Sequence, residues 1–272
     1  MGEYKEAILK FAKKKRNKIG VSVLHISDEL ISNLEKASEY ADVIIFSKEI
    51  RSFECYSVDC NSLEDESKVS SVLFKAYKEK RIDGFIRGHL KYDQFYDEMQ
   101  KIFGVKYEDI APIMKTADGK EFGIGPGIMT FGHKIEEKLE FALKAAAYFK
   151  RFGINLSFGV LGGDFSEDKG HNVILDNTIE DAEKLVELLR EKGHHATYYA
   201  HRIENAIDNS NFIIPINGIF GNLIYRLLFY HGKAEELGEA VFCNENIGEN
   251  SRYTDKLANN IIFANAVVNT AP

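Results

Sequence analysis

Cysteine is scarce in this 272-residue chain: Cys55, Cys60 and Cys243 are an odd number with no C-x-x-C pair. The sequence therefore supports neither a disulfide framework nor a zinc ribbon, and a reducing compartment is expected. Positive charge is also short, with 35 Lys and Arg against 42 Asp and Glu and a net charge of −7. That balance excludes a nucleic-acid footprint, which needs a dense basic face to displace counterions from phosphates. The one basic run, Lys13-Lys14-Lys15-Arg16 with Lys18, closes the first expected helix, where cations meet the exposed carbonyls of the last turn. No apolar run approaches the ~18 residues of a membrane span, and Met1-Gly2-Glu3-Tyr4-Lys5-Glu6 lacks the layout of a signal peptide. A cytoplasmic protein without membrane contact is expected. Internal repeats and low-complexity tracts are missing as well.

What is present is a globular composition, 44% apolar and 28% charged, at a length that suits two lobes. Hydrophobic periodicity predicts helices near residues 4–16, 64–79, 92–103, 133–151, 178–192, 223–230 and 252–268, with another opening at Ser27-Asp28. Strand-like runs fall at 20–26, 42–46, 82–86, 156–161, 195–199, 212–216 and 240–243. This alternation predicts an α/β fold with mostly parallel sheets. Asp118-Gly119 between the runs 110–115 and 122–128 reads as a β-hairpin, because Asp-Gly supplies the positive φ angles of a tight turn. A hairpin interrupting βα units marks a lobe boundary. One lobe is expected over 1–118 with 248–272 and the other over 119–247.

Three junctions carry candidate chemistry. Asn217-Gly218-Ile219-Phe220-Gly221-Asn222 links a strand to a helix, the place where open α/β sheets bind ligands and where a helix start offers N–H groups to an anion. Its two glycines either let a ligand approach the backbone or merely make the turn. Arg87-Gly88-His89 is a second strand-to-helix junction, in which His89 is either an anion donor or a packing residue. Ser251-Arg252 follows Gly248-Glu249-Asn250; Arg offers a forked donor set to phosphate or to an oxyanion, and Ser is either a helix cap or a ligand donor. Gly162 and Gly163 close Gly159-Val160-Leu161-Gly162-Gly163, which is neither the G-x-G-x-x-G dinucleotide fingerprint nor a phosphate loop. His171, His194, His195, His201 and His231 show no metal-ligand spacing, so no metal is expected. No G-x-S-x-G elbow is present.

In order and spacing, Asp83-Gly84-Phe85-Ile86-Arg87-Gly88, Asn217 to Arg226, Gly232-Lys233-Ala234 through Gly238, and Asn250-Ser251-Arg252 resemble the phosphate acetyl/butyryltransferase and PlsX-type acyltransferase superfamily. Phe158-Gly159-Val160-Leu161-Gly162-Gly163, with Asp176-Asn177-Thr178-Ile179-Glu180-Asp181-Ala182-Glu183, is similar to the methanogenesis marker protein 4 (MtxX) family, labelled as a methyltransferase subunit. The resemblance implies an isopropylmalate-dehydrogenase-like fold: two α/β lobes, a cleft between them that takes a small anionic ligand, a homodimer, and a source among methanogenic archaea. It places Gly221 and Asn222 in that cleft and gives Ser251 and Arg252 the task of positioning and polarising a thioester, so a CoA ester or phosphate is the implied ligand and no covalently bound cofactor is expected. The sequence departs from the acyltransferases in three places: Ala258 stands near their acidic base with Asp255 one turn early, Asn217 replaces a common Asp, and His89-Leu90 replaces small hydroxyl residues. Three readings follow. The chain is a transferase-fold protein with a phosphorylated or CoA-like ligand, a subunit of a methyltransferase complex acting with a corrinoid partner, or a non-catalytic assembly or regulatory protein that keeps the site.

Overall fold

A computed structural model describes residues 2–47, 57–59, 66–251 and 254–270. In chain order the elements are α1 (Glu3–Ala12), β1 (Lys18–Val23), α2 (Asp28–Ser38), β2 (Asp42–Ser47), β3 (Ser57–Asp59), α3 (Glu66–Lys78), β4 (Gly84–Ile86), α4 (Tyr92–Phe103), β5 (Ile110–Lys115) and β6 (Glu121–Ile124). They continue with α5 (Ile135–Lys150), β7 (Ser157–Val160), α6 (Val173–Glu191), β8 (His195–Tyr198), α7 (Ile203–Asn209), β9 (Phe212–Ile214), α8 (Gly218–Tyr230), β10 (Glu235–Val241), β11 (Ile247–Glu249) and α9 (Ala258–Thr270). The chain divides into a terminal unit, residues 6–107 with 237–272, and a central unit, residues 108–236 with 1–5. No helix among the described residues is long and apolar enough to cross a membrane.

In the terminal unit the strand order is β3-β2-β1-β4-β11-β10. Every neighbouring pair is parallel except β10 with β11. Strands β1 and β2 are buried on both faces, which is why they read as near-continuous apolar runs rather than as alternating ones. Ile19, Val21 and Val23 of β1 pack with Leu30 and Leu34 of α2 and Ile261 and Ala264 of α9. The central unit runs β5-β6-β9-β7-β8, with an antiparallel β5–β6 hairpin and parallel pairs beyond it. The lobe boundary expected at 118/119 falls in the turn of that hairpin, whose strands stay paired within one unit.

The mostly parallel α/β class stands, and several element boundaries move, those of α6, α9 and β11 among them. Helix α6 begins at Val173, five residues before the expected start, because the Asn172 side chain accepts from the amides of Ile174 and Leu175 and caps it. Its first turn carries exposed Val173 and Ile174, so amphipathicity does not report it. Helix α9 begins at Ala258 rather than at 252; Ser251 does not cap it. The segment 247–249, outside every expected helix and strand, is strand β11, clamped between β4 and β10.

Candidate functional site

Strands β1, β4 and β11 of the terminal unit are parallel, so their carboxyl ends share one edge, where open α/β sheets place ligands. Arg87 leaves β4 at this edge and turns inward. Its Nε donates to Glu249 Oε1 at 2.5 Å, Nη1 to the Leu90 carbonyl at 2.5 Å and Nη2 to the Asn250 carbonyl at 2.6 Å. Tyr96 adds a hydroxyl donor to Glu249 Oε2 at 2.8 Å. Burial works against the Arg87 charge, and the adjacent Glu249 carboxylate, together with Tyr96 and Glu239, outweighs it and pushes the guanidinium pKa up. Burial pushes the Glu249 carboxyl up, with Arg87 and Tyr96 opposing. The guanidinium thus spends its donors on fastening the β4 loop to β11. It is not presented to a ligand.

Asn250, fully buried, completes the fastening: its Oδ1 accepts from the Gly88 amide at 2.8 Å and its Nδ2 donates to the Gly88 carbonyl at 3.0 Å. Gly88 has φ +68°, and a Cβ there would sit 1.9 Å from the Ser22 carbonyl oxygen, so this position admits glycine alone. Ser251 lies half-buried just past Asn250. Arg252 lies outside the described residues.

Beyond this clamp three loops converge. His89 is 3% exposed; its Nδ1 accepts from the Leu24 amide at 3.3 Å, and its ring stacks on His25 with centroids 4.3 Å apart. Asp255 Oδ1 lies 2.9 Å from His89 Nε2 and 3.4 Å from His25 Nε2. The shorter approach, to the buried His89 Nε2, is poorly aligned for a hydrogen bond. Burial, then the His25 neighbour, lowers the His89 pKa, with Asp255 opposing. Ser27 organises the group from the start of α2: its Oγ accepts from the Leu30 amide at 3.0 Å and donates to Asp255 Oδ2 at 2.5 Å. Ser27→Ala removes this helix cap and is expected to cost about 1 kcal/mol, read as a lower midpoint in thermal unfolding.

In the central unit the start of α8 is closed on itself. Asn217 Oδ1 accepts from the amides of Ile219 and Phe220, the Gly218 amide donates to the Phe131 carbonyl at 2.9 Å, and the Gly221 amide to the Asn217 carbonyl at 3.0 Å. The N–H groups expected to face an anion are already engaged. A Cβ at Gly218 would lie 1.8 Å from the Ile128 carbonyl oxygen, and one at Gly221 2.1 Å from that of Pro126; the close backbone approach that these glycines permit is that of the chain's own 126–131 loop. Asn222 Nδ2 donates to the Gly127 carbonyl at 3.2 Å. Gly162 backs onto the Tyr198 ring and Gly163 onto Thr178, so both make room for neighbouring side chains. Lys138 of α5 is buried below the same junction, donates to the Ile216 carbonyl at 3.3 Å, and has its pKa lowered by burial. The outer face of α8 exposes Ile219, Phe220, Leu223, Leu227 and Tyr230.

No family model matches the chain. A Methanosarcina acetivorans protein named "Putative methyltransferase mtx subunit X" is 30% identical over 205 residues, 75% of this chain and 72% of the relative. The chain belongs to the mtx subunit X family. A Methanosarcina mazei member of that name is 29% identical over 267 residues, covering 96% of this chain and 94% of its own. Among solved structures, a branched-chain phosphotransacylase from Enterococcus faecalis V583 superposes with a TM-score of 0.67 at 15% identity, over 92% of this chain and 99% of the other. That likeness shows a shared fold.

Set in the mtx subunit X fold, the sequence-predicted residues separate. Gly88, His89 and Ser251 belong to the terminal unit's loop edge, with Arg87 beneath it. Asn217, Gly218, Gly221 and Asn222 belong to the start of α8, and Gly162 and Gly163 to the end of β7. Sequence reasoning missed His25, Ser27 and Asp255. His25 was read inside a strand that ends two residues earlier, at Val23, and Asp255 was weighed only by its position along a helix that has not yet begun there. A signal was present: each lies within seven residues of a strand end on the same edge.

Proposed function

We propose that this mtx subunit X chain is a transferase-fold protein that binds a phosphorylated or CoA-like anionic ligand on the terminal unit's loop edge. One observation carries the reading. Loops following β1, β4 and β11 bring His25, His89, Ser251 and Asp255 to the carboxyl ends of parallel strands, the edge at which this sheet class takes its ligands. Donors there are suited to phosphate oxygens and to a thioester carbonyl, and the phosphotransacylase-like fold supports the same substrate class. The test is calorimetric titration of the whole chain with acetyl-CoA, butyryl-CoA and inorganic phosphate, with thiol release measured on mixing an acyl-CoA with phosphate. At least one of these is expected to bind, and Ser251→Ala to weaken it by about tenfold, the effect of losing one ~1.4 kcal/mol contact. Absence of binding by all three probes sinks the reading. Binding without thiol release assigns the chain a sensing or assembly role.

A second reading is favoured by the exposed apolar face of α8 and by the word subunit in the relatives' name. Here the chain docks a methyltransferase or corrinoid partner through Ile219, Leu223 and Leu227. Copurification with a corrinoid protein, lost on Leu223→Glu, is the expected result. A mass in solution twice the 30.8 kDa of the chain, reduced to one chain by the same substitution, assigns the face to a second copy instead.

A further inference from the structure

His25, His89 and Asp255 form the one group of three His, Cys, Asp or Glu side chains among the described residues whose donor atoms all lie within 4.8 Å of one another. We propose that these three residues ligate a divalent first-row transition-metal ion. The separations carry the argument. Two donors each ~2.05 Å from a shared ion stand about 2.9 Å apart at a right angle and about 3.4 Å apart near the tetrahedral angle. Asp255 Oδ1 stands 2.9 Å from His89 Nε2 and 3.4 Å from His25 Nε2. A hydrogen-bonded pair at 2.9 Å points its atoms at each other. This pair is poorly aligned for such a bond, although His89 Nε2 is buried and the oxygen is that close. Two donors this close and poorly aligned for a hydrogen bond stand at the spacing of ligands on one edge of a coordination polyhedron.

The surroundings fit. Ser27 occupies Asp255 Oδ2 and leaves Oδ1 for the ion, the outer-sphere arrangement that orients a ligating carboxylate. The side chain of His25 is 62% exposed while that of His89 is 2% exposed, so an ion held here is reached from solvent and keeps positions for water or a substrate oxygen. Three protein donors with open positions are the pattern of a reactive centre rather than of a closed structural one. Two imidazoles with one carboxylate suit zinc, iron, cobalt or nickel better than magnesium or calcium. The Leu24 amide at 3.3 Å from His89 Nδ1 keeps the proton of the ion-free neutral ring on Nε2. Uptake at Nε2 moves that proton to Nδ1, where it would face the Leu24 N–H, so the ring turns away from Leu24 as it takes the ion. The parallel imidazoles, inclined by 9°, open as their lone pairs turn to the ion.

Ion uptake is measured without any acyl or phosphate ligand, so this inference and the anionic-ligand reading stand or fall separately. The whole chain, stripped with EDTA and dialysed, is titrated with cobalt(II) and followed by its d–d absorption, with bound metal counted by inductively coupled plasma mass spectrometry. One equivalent per chain is expected. His25→Gln, at an exposed position, and Asp255→Asn, which keeps an oxygen for Ser27, are expected to weaken uptake by more than the ~10–100-fold typical of losing an outer-sphere partner. Circular dichroism melting shows that the variants are folded. Failure of the wild-type chain to take up one equivalent, or uptake undiminished in both folded variants, overturns the site.

Discussion

Glu249→Ala is expected to destabilise the terminal unit by about 3–5 kcal/mol, the cost of leaving one partner of a buried ion pair without the other. Arg87 is 4% exposed and Glu249 2% exposed, so neither charge has water to fall back on. Removing the carboxylate strips the Arg87 Nε and Nη2 groups of their ionic acceptor and leaves the buried Tyr96 hydroxyl without the oxygen it donates to. The guanidinium keeps two carbonyls, of Leu90 and Asn250, which satisfy donors and do not neutralise charge. The measurement is urea unfolding followed by far-UV circular dichroism. The double variant Arg87→Met with Glu249→Leu removes both charges together and is expected to cost less than Glu249→Ala alone, because neither member of the pair is left without the other. A single-variant loss below about 1 kcal/mol, the range of exposed pairs, means that water reaches the pair in solution.

That pair also shows where sequence reading stops. Strands β1 and β2 and helix α5 were legible because each carries its own pattern: apolar runs for strands buried on both faces, and three- and four-residue steps for a helix with one buried stripe. Strand β11 was not, since Ile247-Gly248-Glu249 is three residues long and ends in a charge whose partner stands 162 positions away. The Arg87-Gly88-His89 junction was correctly placed at the end of a strand, yet its chemistry was divided in a way that only contacts decide, Arg87 turning into the protein and His89 turning to His25 and Asp255. Those two partners sit 64 and 166 positions from His89 (89 − 25 and 255 − 89). The separations among these residues carry no trace of such a group, because the sheet assembles it; only their nearness to strand ends does.

Gly218→Ala is the substitution on which intuition about helices and the geometry of this fold disagree in sign. Within a helix alanine is favoured over glycine by about 1 kcal/mol, and Gly218 is the first residue of α8. Its added Cβ, however, would lie 1.8 Å from the Ile128 carbonyl oxygen and 2.8 Å from that of Phe131. Both atoms are backbone, so no side chain can swing aside; the 126–131 loop must retreat, taking with it the Phe131 carbonyl that accepts from the Gly218 amide at 2.9 Å. Overpacking of this kind costs about 1–3 kcal/mol, and with a hydrogen bond worth about 1 kcal/mol lost as well the propensity gain is outweighed. A net destabilisation of about 1–3 kcal/mol is expected on these terms, measured by the same urea titration. Gly127→Ala in the same loop is the control: a Cβ there meets nothing within 4 Å, so its effect is expected to stay within about 0.5 kcal/mol. Were the two substitutions equally harmless, the loop would stand away from α8 in solution, and the amides at the start of that helix would be open to an anion after all.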